Sequence, residues 1–284
     1  MLTIQEAVNK IKSLIEDAII KGGVVGKNNL IRTQIPICLL HDAAKASFIA
    51  NGVNPELVAP IYGEHVGEQK LAGFFKCKDQ DICFMPNNYK KKEEILNFDG
   101  ILKGKKDPFG YQLTEHILSV NVRSQLSSTA KNFDTLYERT FAEALNLHLR
   151  CPEMVLGEFY MIPVLEYDDA LAKNNVVGFK RNRNISKHLE KYIYSFNAVN
   201  GRNTIVGEEY KYERVCLLIV DFSRQTPKIY NTNAELIADN LLPANTTASI
   251  DNMSFPNFAK FTKNLRTKIW NGKIYLINLL QICI

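Results

Sequence analysis

The stretch from Met154 to Leu165 constrains this chain more than any other. It is a near-continuous apolar run of strand type, interrupted by Glu158. A strand with one wet face alternates apolar and polar residues, whereas an unbroken run reads as a strand covered on both faces. Val215 to Phe222 repeats the signal in its strongest form in the chain. With 284 residues, 46% of them hydrophobic, the chain can bury one large core without disulfide or metal staples. These features predict a mixed α/β (α+β) fold with a central sheet flanked by helices.

The rest of the pattern supplies the flanks. Ile4, Val8, Ile11, Leu14, Ile15 and Ala18 recur at helical spacing, with Gly22-Gly23 as a stop, and a second helix is predicted over Leu39 to Ala50. Leu71 to Lys76 and Ile82 to Met85 read as two short strands about the turn Asp79-Gln80-Asp81. Pro86-Asn87-Asn88 then marks a soft boundary, giving a mainly helical region over 1–88 with a short hairpin and a core domain over 89–284. Within that core we expect a charged helix over Tyr89 to Leu96, a strand over Phe98 to Leu102, a strand over Ile117 to Val122 and a helix capped by Asp134. After the buried run come helices over Asp168 to Lys173, Ile185 to Ile193, Ala234 to Leu241 and Phe258 to Trp270. The apolar end, Ile274 to Ile284, reads as a buried strand, a helix end or the mark of a truncated frame.

Charge and cysteine content narrow the classes. The 35 basic and 30 acidic residues leave a mild positive balance, which permits a polyanionic partner without requiring one. The six cysteines are scattered, no secretory pattern precedes them, and no apolar window is long enough to span a bilayer, so a cytoplasmic protein with no membrane partner is expected. Histidine metal spacing, a nucleophile elbow and a phosphate-binding glycine loop are all missing.

The order of elements in the middle of the chain carries the chemistry. Asp99 sits in Phe98-Asp99-Gly100-Ile101-Leu102. A basic turn follows, then Ser119-Val120-Asn121-Val122-Arg123-Ser124-Gln125, then a helix bearing Glu138 and Glu143, then the buried run. This order resembles the core of PD-(D/E)XK nucleases. Arg123-Ser124-Gln125, followed by Lys131-Asn132-Phe133 and Glu138 or Glu143, is similar to a signature of some type II restriction endonucleases. The resemblance covers about a quarter of the chain. It departs from the family at Asn121, where a metal-binding carboxylate is expected, and at Arg123, where a lysine is.

The resemblance implies a restriction-endonuclease-like domain that hydrolyses double-stranded DNA with Mg²⁺, working as a homodimer because cutting a duplex needs two sites. Asp99 would ligate metal and Glu138 or Glu143 would supply the missing carboxylate, since Mg²⁺ prefers hard oxygen ligands. Asn121 can offer a carbonyl oxygen but no charge. Arg123, with Gln125 beside it, would position the phosphate. Lys131, Arg181, Arg183 and Lys187 are the side chains expected on DNA. Glu158 is a further candidate, because a carboxylate in an apolar strand is costly to bury without a cation or a partner; a strand-end Glu facing solvent, or paired with Arg139 or Arg150, is the alternative. Two rival readings stay open: a DNA-binding relative that does not cut, and an unrelated α/β protein.

Overall fold

The structure, a computed structural model, describes residues 1–181 and 183–260, together with the backbone of Lys268–Trp270 and Lys273–Tyr275, which pair as antiparallel strands. Most of the predicted helix Phe258 to Trp270 and of the apolar end Ile274 to Ile284 lies outside the described residues. The part described at Lys268–Trp270 is strand.

The chain opens with α1 (Ile4–Arg32), started by a capping box in which the Thr3 side chain and Glu6 satisfy each other's free backbone N–H groups. Its buried stripe is Val8, Ile11, Ile15 and Ile19. The helix does not stop at Gly22-Gly23. It kinks at Gly23, which adopts φ +58 against the carbonyl of Ala172, and resumes to Arg32. A glycine without a Cβ both tolerates that backbone and permits the approach. α2 (Ile35–Ala50) follows.

Six strands form the central sheet. After β1 (Val58–Ala59), the hairpin β2 (Gln69–Ala72) and β3 (Cys77–Gln80) stands apart, and β4 (Ile82–Phe84) returns to pair with β1. A two-stranded piece, β5 (Glu94–Ile95) and β6 (Lys106–Asp107), and the short α3 (Tyr111–Thr114) lead to β7 (Leu118–Ser124). α4 (Thr129–His148) crosses back to β8 (Val155–Pro163); α5 (Asp169–Ala172) and α6 (Ile185–Ala198) cross to β9 (Arg214–Asp221). β10 (Lys228–Tyr230), α7 (Asn233–Ala238) and α8 (Phe255–Ala259) complete the described fold. The sheet order is β1-β4-β7-β8-β9-β10, with β7, β8 and β9 parallel and the outer pairings antiparallel.

β8 and all but the first residue of β9 are buried along their whole length, as the apolar runs require. Alternation sorts the side chains onto two faces. Leu118, Val120 and Val122 of β7, with Phe159 and Met161 of β8, pack toward α1, α2 and α8. Ile117, Leu156, Tyr160 and Ile162 pack toward α4 and α6. The sheet draws β1 and β4 from before residue 88 and its other strands from after it, so both parts of the chain share one core.

Two expected elements are absent. Tyr89 to Leu96 contains no helix, and Phe98 to Leu102 is a chain of turns, not a strand. Gly100 and Gly104 both have positive φ there, and Lys103 N–H donates to the Gly100 carbonyl, which closes a turn where a strand would need extended backbone.

Candidate active site

One face of the sheet carries an island of charge in otherwise apolar packing. By alternation Ser119, Asn121 and Arg123 of β7 point toward α4, as do Glu158 of β8 and Asp81, the residue immediately before β4. Strand register brings them side by side: Ile82 lies opposite Val120, and Asn121 opposite Glu158. α4 lies over this face and presents Thr140, Glu143, Ala144 and Leu147, residues spaced to share one helix face.

Arg123 is the hub. Its Nη1 donates to Glu158 Oε1 at 2.6 Å and to Thr140 Oγ1 at 2.9 Å, while Nη2 bonds Glu143 Oε2. Asn121 Nδ2 also donates to Glu143 Oε2, at 3.2 Å. Lys78, from β3, pairs with the other Glu143 oxygen. Asp81 Oδ2 accepts the Val122 N–H at 2.7 Å. Tyr212 seals the floor, its hydroxyl donating to the Thr140 carbonyl at 2.7 Å. Glu158 and Asn121 are wholly buried, and the cluster meets solvent through Lys78, Asp81 and Arg123.

Three carboxylates therefore share two cations, and the electrostatics follow. Burial pushes Glu158 up to about 7 against the pull of Arg123, with Glu143 adding to the rise. Burial likewise lifts Asp81 to about 6, opposed by the Val122 N–H. Burial works against the Arg123 charge too, but Glu158, Tyr212 and Glu143 outweigh it and hold the guanidinium above its ordinary range. One guanidinium divided between two carboxylates stays charged while leaving Glu158 short of compensation. Among the described residues, two buried oxygens, Asn121 Oδ1 and Glu158 Oε2, have no hydrogen-bond partner.

The expected site residues separate cleanly. Asn121, Arg123 and Glu143 meet in this cluster, and Glu158 joins them through Arg123 instead of pairing with Arg139 or Arg150. Arg150 is committed elsewhere, to Asp107 and the Ala72 carbonyl. Asp99 stands apart: its side chain is 94% exposed in the turn region and pairs only with Lys103 among the described residues. Glu138 faces solvent on the outer side of α4. Gln125 is buried, but its oxygen accepts from Tyr160 and Tyr192 and its Nε2 donates to the Ser128 and Thr129 carbonyls, which makes it a clamp on the α4 entrance. Lys131, Arg181, Arg183 and Lys187 are exposed, the first at the start of α4, the next two ahead of α6 and the last in the first turn of α6. Glu166, bonded to both Thr129 and Lys180, ties those two segments together.

Asp81 and Lys78 were not anticipated. The sequence places Asp81 in a turn, although an acid directly before the strand Ile82-Cys83-Phe84 is a signal close to that of Asp99, an acid inside a strand-like run. No sequence pattern marks Lys78.

Among the described residues, no three His, Cys, Asp or Glu side chains stand close enough to hold a metal ion as placed. The donor chemistry nevertheless fits a hard divalent cation, because the cluster offers three carboxylates and an amide oxygen, two of whose oxygens have no donor. No protein-family model, no curated protein and no solved structure matches this chain.

Proposed function

We propose that this protein is a Mg²⁺-dependent endonuclease acting on double-stranded DNA, of the type II restriction kind and working as a homodimer. The observation that carries the reading is the convergence of Asp81, Asn121, Arg123, Glu143 and Glu158 on one sheet face, under one helix. The sheet is compatible with a restriction-endonuclease-like core, in which a meander leads into a parallel strand through a crossing helix.

In this reading Asp81, Glu143 and Glu158, with the Asn121 carbonyl, would hold Mg²⁺. Glu158 stands opposite Asn121 in register, so the carboxylate expected on β7 would come from the neighbouring strand. When bound, the cation supplies an acidified water and neutralises phosphate charge. Lys78 and Arg123, at the mouth, orient the scissile phosphate and stabilise its developing negative charge. The exposed cations Lys131, Arg181, Arg183 and Lys187 hold the DNA backbone beside it.

Digestion of phage genomic DNA with Mg²⁺ or Mn²⁺ tests this, and discrete fragments are expected. A second reading, a DNA-binding protein that does not cut, is favoured by the way Arg123 already binds both glutamates. Intact DNA across metals and sequences, with the duplex retarded on a gel, would select it.

A further inference from the structure

We infer that the Arg123 guanidinium and a divalent cation are alternative occupants of the same carboxylate cage, so that metal binding requires Arg123 to release Glu158. This rests on reading the cluster as a metal-dependent site.

Three observations carry it. Arg123 bridges Glu158 and Glu143 through one nitrogen each and does not grip either carboxylate with its planar fork, the geometry in which guanidinium binds best. As a result Glu158 uses Oε1 and leaves Oε2 without a partner among the described residues, though the side chain is fully buried. The neighbouring orphan, Asn121 Oδ1, belongs to the residue directly opposite Glu158 across the β7 and β8 register. An N–H donor satisfies one lone pair at a time, whereas a hard divalent cation gathers several oxygens at once. Arg123 holds the cage closed but leaves Glu158 and Asn121 with acceptors unused.

The release path is also present. Arg123 lies near the end of β7 and its side chain is 18% exposed, while Glu158 behind it is inaccessible. Asp81, whose charge acts on Arg123, lies at the solvent side of the cluster. A guanidinium released from Glu158 would swing toward solvent, where an incoming phosphate could meet it. Metal binding and phosphate binding would then be coupled through one side chain.

The test is Mn²⁺ binding to the full chain without DNA, counted from the loss of the free Mn²⁺ signal in electron paramagnetic resonance. Arg123→Met should bind at least tenfold more tightly than the wild type, and adding Glu158→Gln should abolish that gain. Equal or weaker binding by Arg123→Met, or a gain that survives Glu158→Gln, overturns the inference. Should Arg123→Met not fold, the wild type still decides: Mg²⁺ should shift the Arg123 guanidinium resonances in nitrogen-15 spectra and speed their hydrogen exchange, and unchanged signals at saturating metal overturn it. The predicted affinity order with uncut DNA would uphold the exchange and remove the nuclease reading alone.

Discussion

Replacing Arg123 by Met removes the one cation among the described residues that reaches Glu158 directly. The variant loses the 2.6 Å bond to Glu158, the 2.9 Å bond to Thr140 and the bond to Glu143, while Met refills much of the aliphatic volume. Deleting one partner of a buried pair costs about 3–5 kcal/mol, because the abandoned charge stays buried. The loss should also depend on pH with a definite sign. In the wild type, Glu158 has a folded-state pKa of about 7 against an ordinary 4.5, so its contribution is fully present below pH 4.5 and declines up to about pH 7. Without the guanidinium the folded-state pKa rises further, and the decline continues above pH 7 at about 1.4 kcal/mol per pH unit. Urea unfolding followed by circular dichroism at pH 6.5 and 8.5 measures this. The variant should be about 2 kcal/mol worse, relative to wild type, at the higher pH. The double variant with Glu158→Gln should lose that dependence. A loss below about 1 kcal/mol at pH 8.5, or the same loss at both pH values, would refute the claim that Arg123 sustains a buried carboxylate.

Other consequences are equally concrete. His41, buried in α2 with no partner for Nε2 among the described residues, has its pKa pulled down to about 4 by burial, with Lys45 and His65 adding to the fall. Because the unfolded chain binds the proton more readily, stability should fall by about 3 kcal/mol as pH drops from 6.5 to 4, and His41→Phe should flatten that limb in urea titrations. Asp99→Ala and Glu138→Ala should leave stability within about 0.5 kcal/mol of wild type by thermal unfolding, since both side chains are exposed. Burial raises the Cys83 and Cys151 thiols to about 12 and Cys216 well above its ordinary value, so a thiol reagent added to the folded protein should spare all three and label the half-buried Cys38 and Cys77 first among the described cysteines.

The strands were legible where burial dictated composition. Met154 to Leu165 and Val215 to Phe222 are apolar because helices cover both sheet faces, and β8 and β9 are interior strands with a neighbour on each side. Glu158 was visible for the same reason: a carboxylate in such a run needs a cation. Local sequence misled where glycine set the backbone. Phe98-Asp99-Gly100-Ile101-Leu102 has strand-like composition, yet Gly100 and Gly104 turn the chain and leave Ile101 exposed. Asp81 was hidden by a misplaced hairpin. The observed hairpin turns after Ala72, so Asp79 and Gln80 end β3 and Asp81 stands at the head of a new strand in another sheet. Helical phase distinguishes Glu143 from Glu138, since Thr140, Ala144 and Leu147 mark the buried face three or four residues apart. Lys78 reaches Glu143 from a separate two-stranded sheet, a contact of tertiary origin that no local pattern encodes.

Single-turnover cleavage of duplex DNA in Mg²⁺ by the wild type, Glu158→Gln and Asp99→Ala tests the account most directly. Wild type and Asp99→Ala should cleave at similar rates, with a loss of at least a hundredfold in folded Glu158→Gln. Cleavage by Glu158→Gln at the wild-type rate, or its abolition by Asp99→Ala, would contradict the assignment of the reaction to this cluster.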